Sequence, residues 1–167
     1  MTRIVVIIRD GIPRPIPCKI LPIVNPIDMT WDDQGRMYVA VTIDYPYIQE
    51  NGNDRIVICE DTDSDGQADK FTTFAEGFSL VTGMCWVNGG IILAQAPNMY
   101  FLKDTDGDDK ANVIKQVNTG WGIGDTHGGP SNLKYGLDNK IYGCVGGGGY
   151  TDDRGRFSAG IWRMDVD

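Results

Sequence analysis

Two stretches of this 167-residue chain decide how the rest is read: residues 56–78, IVICEDTDSDGQADKFTTFAEGF, and residues 99–121, MYFLKDTDGDDKANVIKQVNTGW. Each runs from an apolar, strand-like segment through an Asp-Thr-Asp loop into a second strand-like segment, KFTTF in one and NVIKQV in the other. The loops begin at Asp61 and Asp104, 43 residues apart. Each stretch follows a segment that reads as strand, tight turn, strand: MTWDDQGRMYVA from Met29 and GMCWVNGGIILA from Gly83. A third such segment, NLKYGLDNKIYG, starts at Asn132. Gly, Asn and Asp in the turns DDQG, VNGG and LDNK supply the positive φ values that short hairpins demand. One unit is therefore four strands within roughly 40 to 50 residues, the period of a β-propeller blade.

Composition supports an all-β chain. There are 22 Gly and 8 Pro, and Ile and Val outnumber Leu and Ala, which suits turns and pleated strands better than helices. A net charge of −8 with no basic cluster argues against nucleic acid as a partner. No apolar run approaches the roughly 18 residues of a membrane-spanning helix, so no integral membrane segment is expected. Residues 4–8 are apolar, but Arg9 and Asp10 follow, so no export signal is visible. Cys18, Cys59, Cys85 and Cys144 are widely spaced without a CxxC pair. They read as buried small hydrophobes, with one disulfide as the alternative.

Two units are complete, and a third, continued by GIWRMDVD from Gly160, stops at Asp167. The expectation is a partial propeller of about two and a half to three blades, with repeats near 27–78, 79–121 and 127–167. Residues 1–26, which hold five of the eight prolines, form a lead-in, because proline is excluded from central strands. An incomplete propeller exposes strand edges and an apolar blade face, so self-association is expected.

Asp61-Thr62-Asp63-Ser64-Asp65-Gly66-Gln67-Ala68-Asp69 fits the pattern DxDxDGxxD. Carboxylates on alternate residues repel one another unless a cation lies between them, and calcium takes six to eight oxygens at about 2.3 to 2.6 Å. Asp61, Asp63 and Asp65 are expected to give side-chain oxygens, Gln67 its carbonyl, and Asp69 an oxygen directly or through water, with Gly66 making the turn. The twelfth position counted from Asp61 is Thr72, so the loop is not an EF-hand. In the second loop Asp104, Asp106, Asp108, Lys110 and Asn112 occupy the same places, and Asp109 stands where the turn Gly belongs. Asp tolerates positive φ at a cost of about 1 kcal/mol, so this is expected to be the weaker site. The competing reading is a solvated acidic hairpin without metal. Magnesium fits less well, because it keeps its waters. Sites of this composition lie at the weak end of calcium affinity, which points outside the cytoplasm.

The single histidine sits in GWGIGDTHGGP, residues 120–130, a Gly-rich connection leading into the third unit. In a propeller such a loop faces the channel mouth, so His127 is a candidate general base, with Asp125 placed to orient its ring. The alternative is a histidine that satisfies a loop carbonyl. Gly146, Gly147, Gly148 and Gly149 lack the GxGxxG spacing and lead into turn chemistry, YTDDRGRFS, so they are not a dinucleotide site.

Taken together, NPIDMTWDDQGRMYVAVTIDYP, DRIVICEDTDSDGQADKFTTFAEGF, QAPNMYFLKDTDGDDKANV, THGGPSNLKYGLDNKIYGCVG and GRFSAGIWRMD resemble the propeller of the large membrane-bound dehydrogenase proteins of planctomycetes and verrucomicrobia. Those are related to the soluble glucose/sorbosone dehydrogenases, six-bladed propellers that use pyrroloquinoline quinone. The resemblance, over residues 25–167, implies a six-bladed parent, an extracytoplasmic location, a sugar or alcohol substrate, and often a c-type haem domain as redox partner. It also implies that His127 is the base that takes the substrate hydroxyl proton. Two features depart from the pattern: Gly147 stands where those dehydrogenases carry an Asp, and the chain has no CxxCH motif. The alternative class is a non-catalytic, calcium-stabilised propeller that binds carbohydrate or protein.

Overall fold

Thirteen strands and no helix make up residues 23–166, the residues that the computed structural model describes. The lead-in expected over residues 1–26 lies outside them up to position 22, as do Cys18 and Asp167. The first four-stranded sheet is β1 (Pro26–Trp31), β2 (Met37–Val41), β3 (Asp54–Glu60) and β4 (Lys70–Phe78), paired in chain order. The second repeats it with β5 (Gly83–Val87), β6 (Gly90–Gln95), β7 (Asn98–Lys103) and β8 (Val113–Thr119). The third begins with β9 (Ser131–Tyr135) and β10 (Lys140–Val145), departs into a ribbon of β11 (Tyr150–Asp152) and β12 (Gly155–Phe157), and returns with β13 (Gly160–Asp165) beside β10. The ribbon occupies the stretch that reads as turn chemistry in sequence.

The turns follow from side-chain identity. Asn88 and Gly89 take φ of 53° and 71°, the type I′ geometry whose twist matches the flanking strands, so β5 folds directly onto β6. In the turn before β2, Asp32 Oδ1 accepts the Gln34 and Arg36 amides at 2.9 and 2.8 Å.

The sheets stand side by side through their first strands: β1 packs on β5, and β5 on β9. Two side chains of β1 stitch the first pair, with the Met84 amide donating to Asp28 Oδ2 (2.9 Å) and the Trp86 amide to Thr30 Oγ1 (3.1 Å). Alternate residues of a strand point to opposite faces, and β6 shows the consequence. Ile91 and Leu93 enter a core shared with Tyr38, Ile56, Ile58 and Phe74 of the first sheet, while Ile92 and Ala94 enter one shared with Leu133, Ile141 and Trp162 of the third. The all-β, partial-propeller architecture read from the repeat is the one observed.

Because strands alternate in direction, connections alternate between two ends. Residues 32–36, 61–69, 88–89, 104–112 and 136–139 gather at one end, and residues 42–53, 79–82, 96–97, 120–130 and 146–149 at the other. A strand of five to seven residues separates the ends by about 17 to 23 Å. The acidic loops and His127 are therefore on opposite ends of the blades.

Cys59 and Cys85 are buried free thiols, as their apolar surroundings led us to expect. Cys144 is free but exposed, because its neighbour Gly143 is the residue that faces Trp162 of the second core.

Candidate functional site

Each acidic loop closes on itself. In the first, Gly66 donates to Asp61 Oδ2 (2.8 Å), Asp65 to Asp61 Oδ1 and Asp63 Oδ1 (3.2 Å each), and Gln67 to Asp65 Oδ1 (2.8 Å). The carboxylates of Asp61, Asp63 and Asp65 converge, with one oxygen of each within 4.8 Å of the others. Ligands on opposite sides of a calcium ion lie about 4.6 to 5.2 Å apart, so this spread fits that cation. Gln67 turns its side-chain amide onto Asp65 Oδ2 (3.1 Å). Asp69 ties the loop ends by accepting the Thr62 amide (3.1 Å) and hydroxyl (2.9 Å).

The second loop has the same plan. Asp104 accepts the amides of Asp106 (3.0 Å), Gly107 (2.7 Å) and Asp109 (2.9 Å), and Asp108 accepts that of Lys110. Asp104, Asp106 and Asp108 converge within the same 4.8 Å, and Asn112 takes the place of Asp69, bonding the Thr105 amide and hydroxyl at 3.0 Å. The Gly107 amide, aided by those of Asp109 and Asp106, outweighs burial and holds the Asp104 carboxyl below the usual carboxylate range. Asp109 takes φ of 65°, and its side chain leaves the loop to meet Arg36 Nη1 at 2.5 Å. Arg36 also bonds Asp32 Oδ2 at 2.7 Å.

At the other end, His127 lies between loops of two blades. Its Nε2 is 2.6 Å from the hydroxyl of Tyr45, and the two rings meet edge to face at 5.7 Å. Its Nδ1 is 3.6 Å from Asp125 Oδ1, which also accepts the His127 amide at 3.0 Å. Glycines make this possible. A methyl group on Gly128 would come within 2.6 Å of Asp125 Oδ2, and one on Gly147 within 3.0 Å. The loops at 122–128 and 146–149 touch through bare backbone, with Gly122 donating to the Gly149 carbonyl and Gly146 to that of Gly128 at 3.0 Å each. The four-glycine run thus serves close backbone approach.

Tyr45 is a residue that sequence reading missed, and so is the group that places it. Asp54, fully buried, accepts the Ile43 amide (2.6 Å), the Asp44 amide (3.0 Å), the Thr42 hydroxyl (2.9 Å) and, from the connection to the second sheet, the Val81 amide (2.9 Å). Asp44 is nearly buried. That burial would raise its carboxyl, but the side chain and amide of Asn53 and the Ser79 hydroxyl outweigh it and hold the group below its usual range. A buried acid in a strand that opens on Asp54-Arg55 was the available signal.

A cleft of about 360 Å³ beside His127 is lined by Gly122, Gly124, Gly147 and Gly148, with Asp125 and Arg156. A quinone bearing three carboxylates needs more positive charge than one arginine facing an aspartate supplies. These lining residues therefore do not by themselves cradle pyrroloquinoline quinone.

Among the described residues no helix is long and apolar enough to cross a membrane. The comparison with curated proteins gives no match. Among solved structures, a chain titled glucose dehydrogenase aligns with a TM-score of 0.51 at 12% identity, over 86% of this chain and 41% of its own. The likeness is one of fold, and this chain spans less than half the length of that protein. The family described as a domain of unknown function (DUF7133) matches residues 22–167, and the chain belongs to that family.

Proposed function

We propose that this chain is part of a calcium-stabilised, dehydrogenase-like propeller that acts on the hydroxyl group of a sugar or alcohol outside the cytoplasm. Calcium in the loops at 61–69 and 104–112 stiffens the outer strands at one end. Asp61, Asp63, Asp65 and the Gln67 carbonyl hold one ion, with Asp69 bracing the loop; Asp104, Asp106, Asp108, the Lys110 carbonyl and Asn112 serve the second. The opposite end is the chemical one, where His127 is the base for deprotonation of the hydroxyl. A quinone bound by the whole protein would supply the acceptor for the hydride; the charge in the cleft here is too small for this chain to hold it alone. A c-type haem domain is the matching redox partner.

The observation that carries this reading is the meeting of His127, Tyr45 and Asp125 at one end of a fold like that of a glucose dehydrogenase. Titrating the calcium-loaded full-length protein with pyrroloquinoline quinone, followed by absorbance, and supplying sugars and alcohols with a dye acceptor tests it. The expected result is a quinone spectral shift and substrate-dependent dye reduction. No shift and no reduction would remove the dehydrogenase reading.

A second reading, a non-catalytic carbohydrate binder, rests on another cleft. Trp121, Tyr150, Phe157 and Trp162 line a cavity of about 520 Å³ with Arg154 and Arg156. A glycan screen with calcium and with chelator separates it from the first reading, since only this one predicts binding without oxidation.

A further inference from the structure

Both nitrogens of the His127 ring are engaged. Nε2 faces the Tyr45 hydroxyl at 2.6 Å, and Nδ1 faces the Asp125 carboxylate at 3.6 Å, a distance for charge attraction rather than a direct hydrogen bond. The carboxylate favours a proton on Nδ1, which turns the Nε2 lone pair toward the phenol. With both nitrogens engaged, a ligand hydroxyl reaches the proton-accepting nitrogen through the Tyr45 hydroxyl, on a residue that is itself about half exposed.

We infer that Tyr45 is the proton-carrying group at this site, backed by His127 and oriented through Asp125, and that it takes the proton of a bound hydroxyl. This rests on the hydroxyl-directed reading above. In the step, the ligand O–H bond breaks and a new O–H bond forms on Tyr45. At the same time the original phenol proton passes to Nε2, leaving an alkoxide and an imidazolium beside Asp125. The logic is that of a nucleophile or acid whose base is oriented by a third group. The two partners come from loops 82 residues apart on the first and third blades. The Tyr45 loop is held by the four donors that converge on buried Asp54, so the phenol is presented by a fixed frame.

The chain contains one histidine, so its nitrogens can be read without ambiguity by ¹⁵N-detected NMR at a pH where the ring is neutral. The expected result is the Nδ1–H tautomer in the wild-type chain, moving toward Nε2–H in both Tyr45→Phe and Asp125→Ala. An Nε2–H tautomer in the wild type, or no change in either variant, would overturn the inference. This readout needs no activity, so it stands apart from the quinone assay. Where that assay shows oxidation, Tyr45→Phe is expected to lower kcat about 100-fold with KM changed less than threefold. A kcat within twofold of wild type would overturn the role of Tyr45 while leaving the dehydrogenase reading intact.

Discussion

The loops at 61–69 and 104–112 share a spacing, a closing bond and a backbone. Positive φ falls at the fourth and sixth positions of each, at Ser64 and Gly66 in the first and at Gly107 and Asp109 in the second. They differ in what lies beneath them. The second loop leans on the first blade: the Ala111 amide donates to the Phe74 carbonyl (2.8 Å), Ala111 packs on the shared core, and Asp109 reaches Arg36, with Lys70 at 3.9 Å. In the first loop the sixth position is Gly66, which has no side chain to send across. An aspartate where a turn glycine belongs is thus no defect of the motif; it exchanges backbone ease for a tie between blades.

The difference extends to the strands that follow. Phe74 of β4 is buried against Tyr38, ring centroids 5.1 Å apart and edge on, whereas Val117, 43 residues later on β8, is 36% exposed. Phe74→Ala is expected to cost about 4 kcal/mol and Val117→Ala under about 1 kcal/mol in urea unfolding. Equal losses would break the comparison. Next in size, Arg36→Met leaves Asp109 partly buried without its main partner, at about 2 kcal/mol. It should weaken calcium binding at the second loop alone, and a matching loss at the first would show that the tie does not discriminate. Gly66→Ala places a side chain at φ of 88° and should cost about 1 kcal/mol, lowering the melting temperature by a few degrees.

Acid gives a smaller, graded effect. Asp44 and Asp104 titrate below their ordinary values in the fold, so the stability they contribute is complete above the unfolded carboxylate range and fades as pH falls below about 4. Asp44→Asn should flatten that limb of the stability curve. Thiol labelling offers the mildest check. Burial pushes the Cys59 thiol up to about 11 and raises that of Cys85, so exposed Cys144 should react ahead of both.

The four-strand period, the Asn-Gly turn and the Asp ladders were legible because each depends on residues close in sequence. What escaped depends on blades meeting. Arg36 and Asp109 are 73 residues apart, and Tyr45 and His127 farther still; only side-by-side packing of β1, β5 and β9 brings them together. The ribbon of β11 and β12 escaped for another reason. Three residues on each side of an Asp-Arg turn carry too little alternation to separate a short strand from a loop. Cys144 was misjudged by one residue of parity, since the run IYGCV does not reveal that Gly143 makes room for Trp162.

Calcium titration into the metal-stripped chain by calorimetry, beside the Asp61→Asn and Asp104→Asn variants, tests most directly whether the two acidic loops hold calcium. Two ions per chain are expected, one lost in each variant, with a higher melting temperature when both are bound. Absence of binding heat in the wild type, with a melting temperature indifferent to calcium and chelator alike, would contradict it.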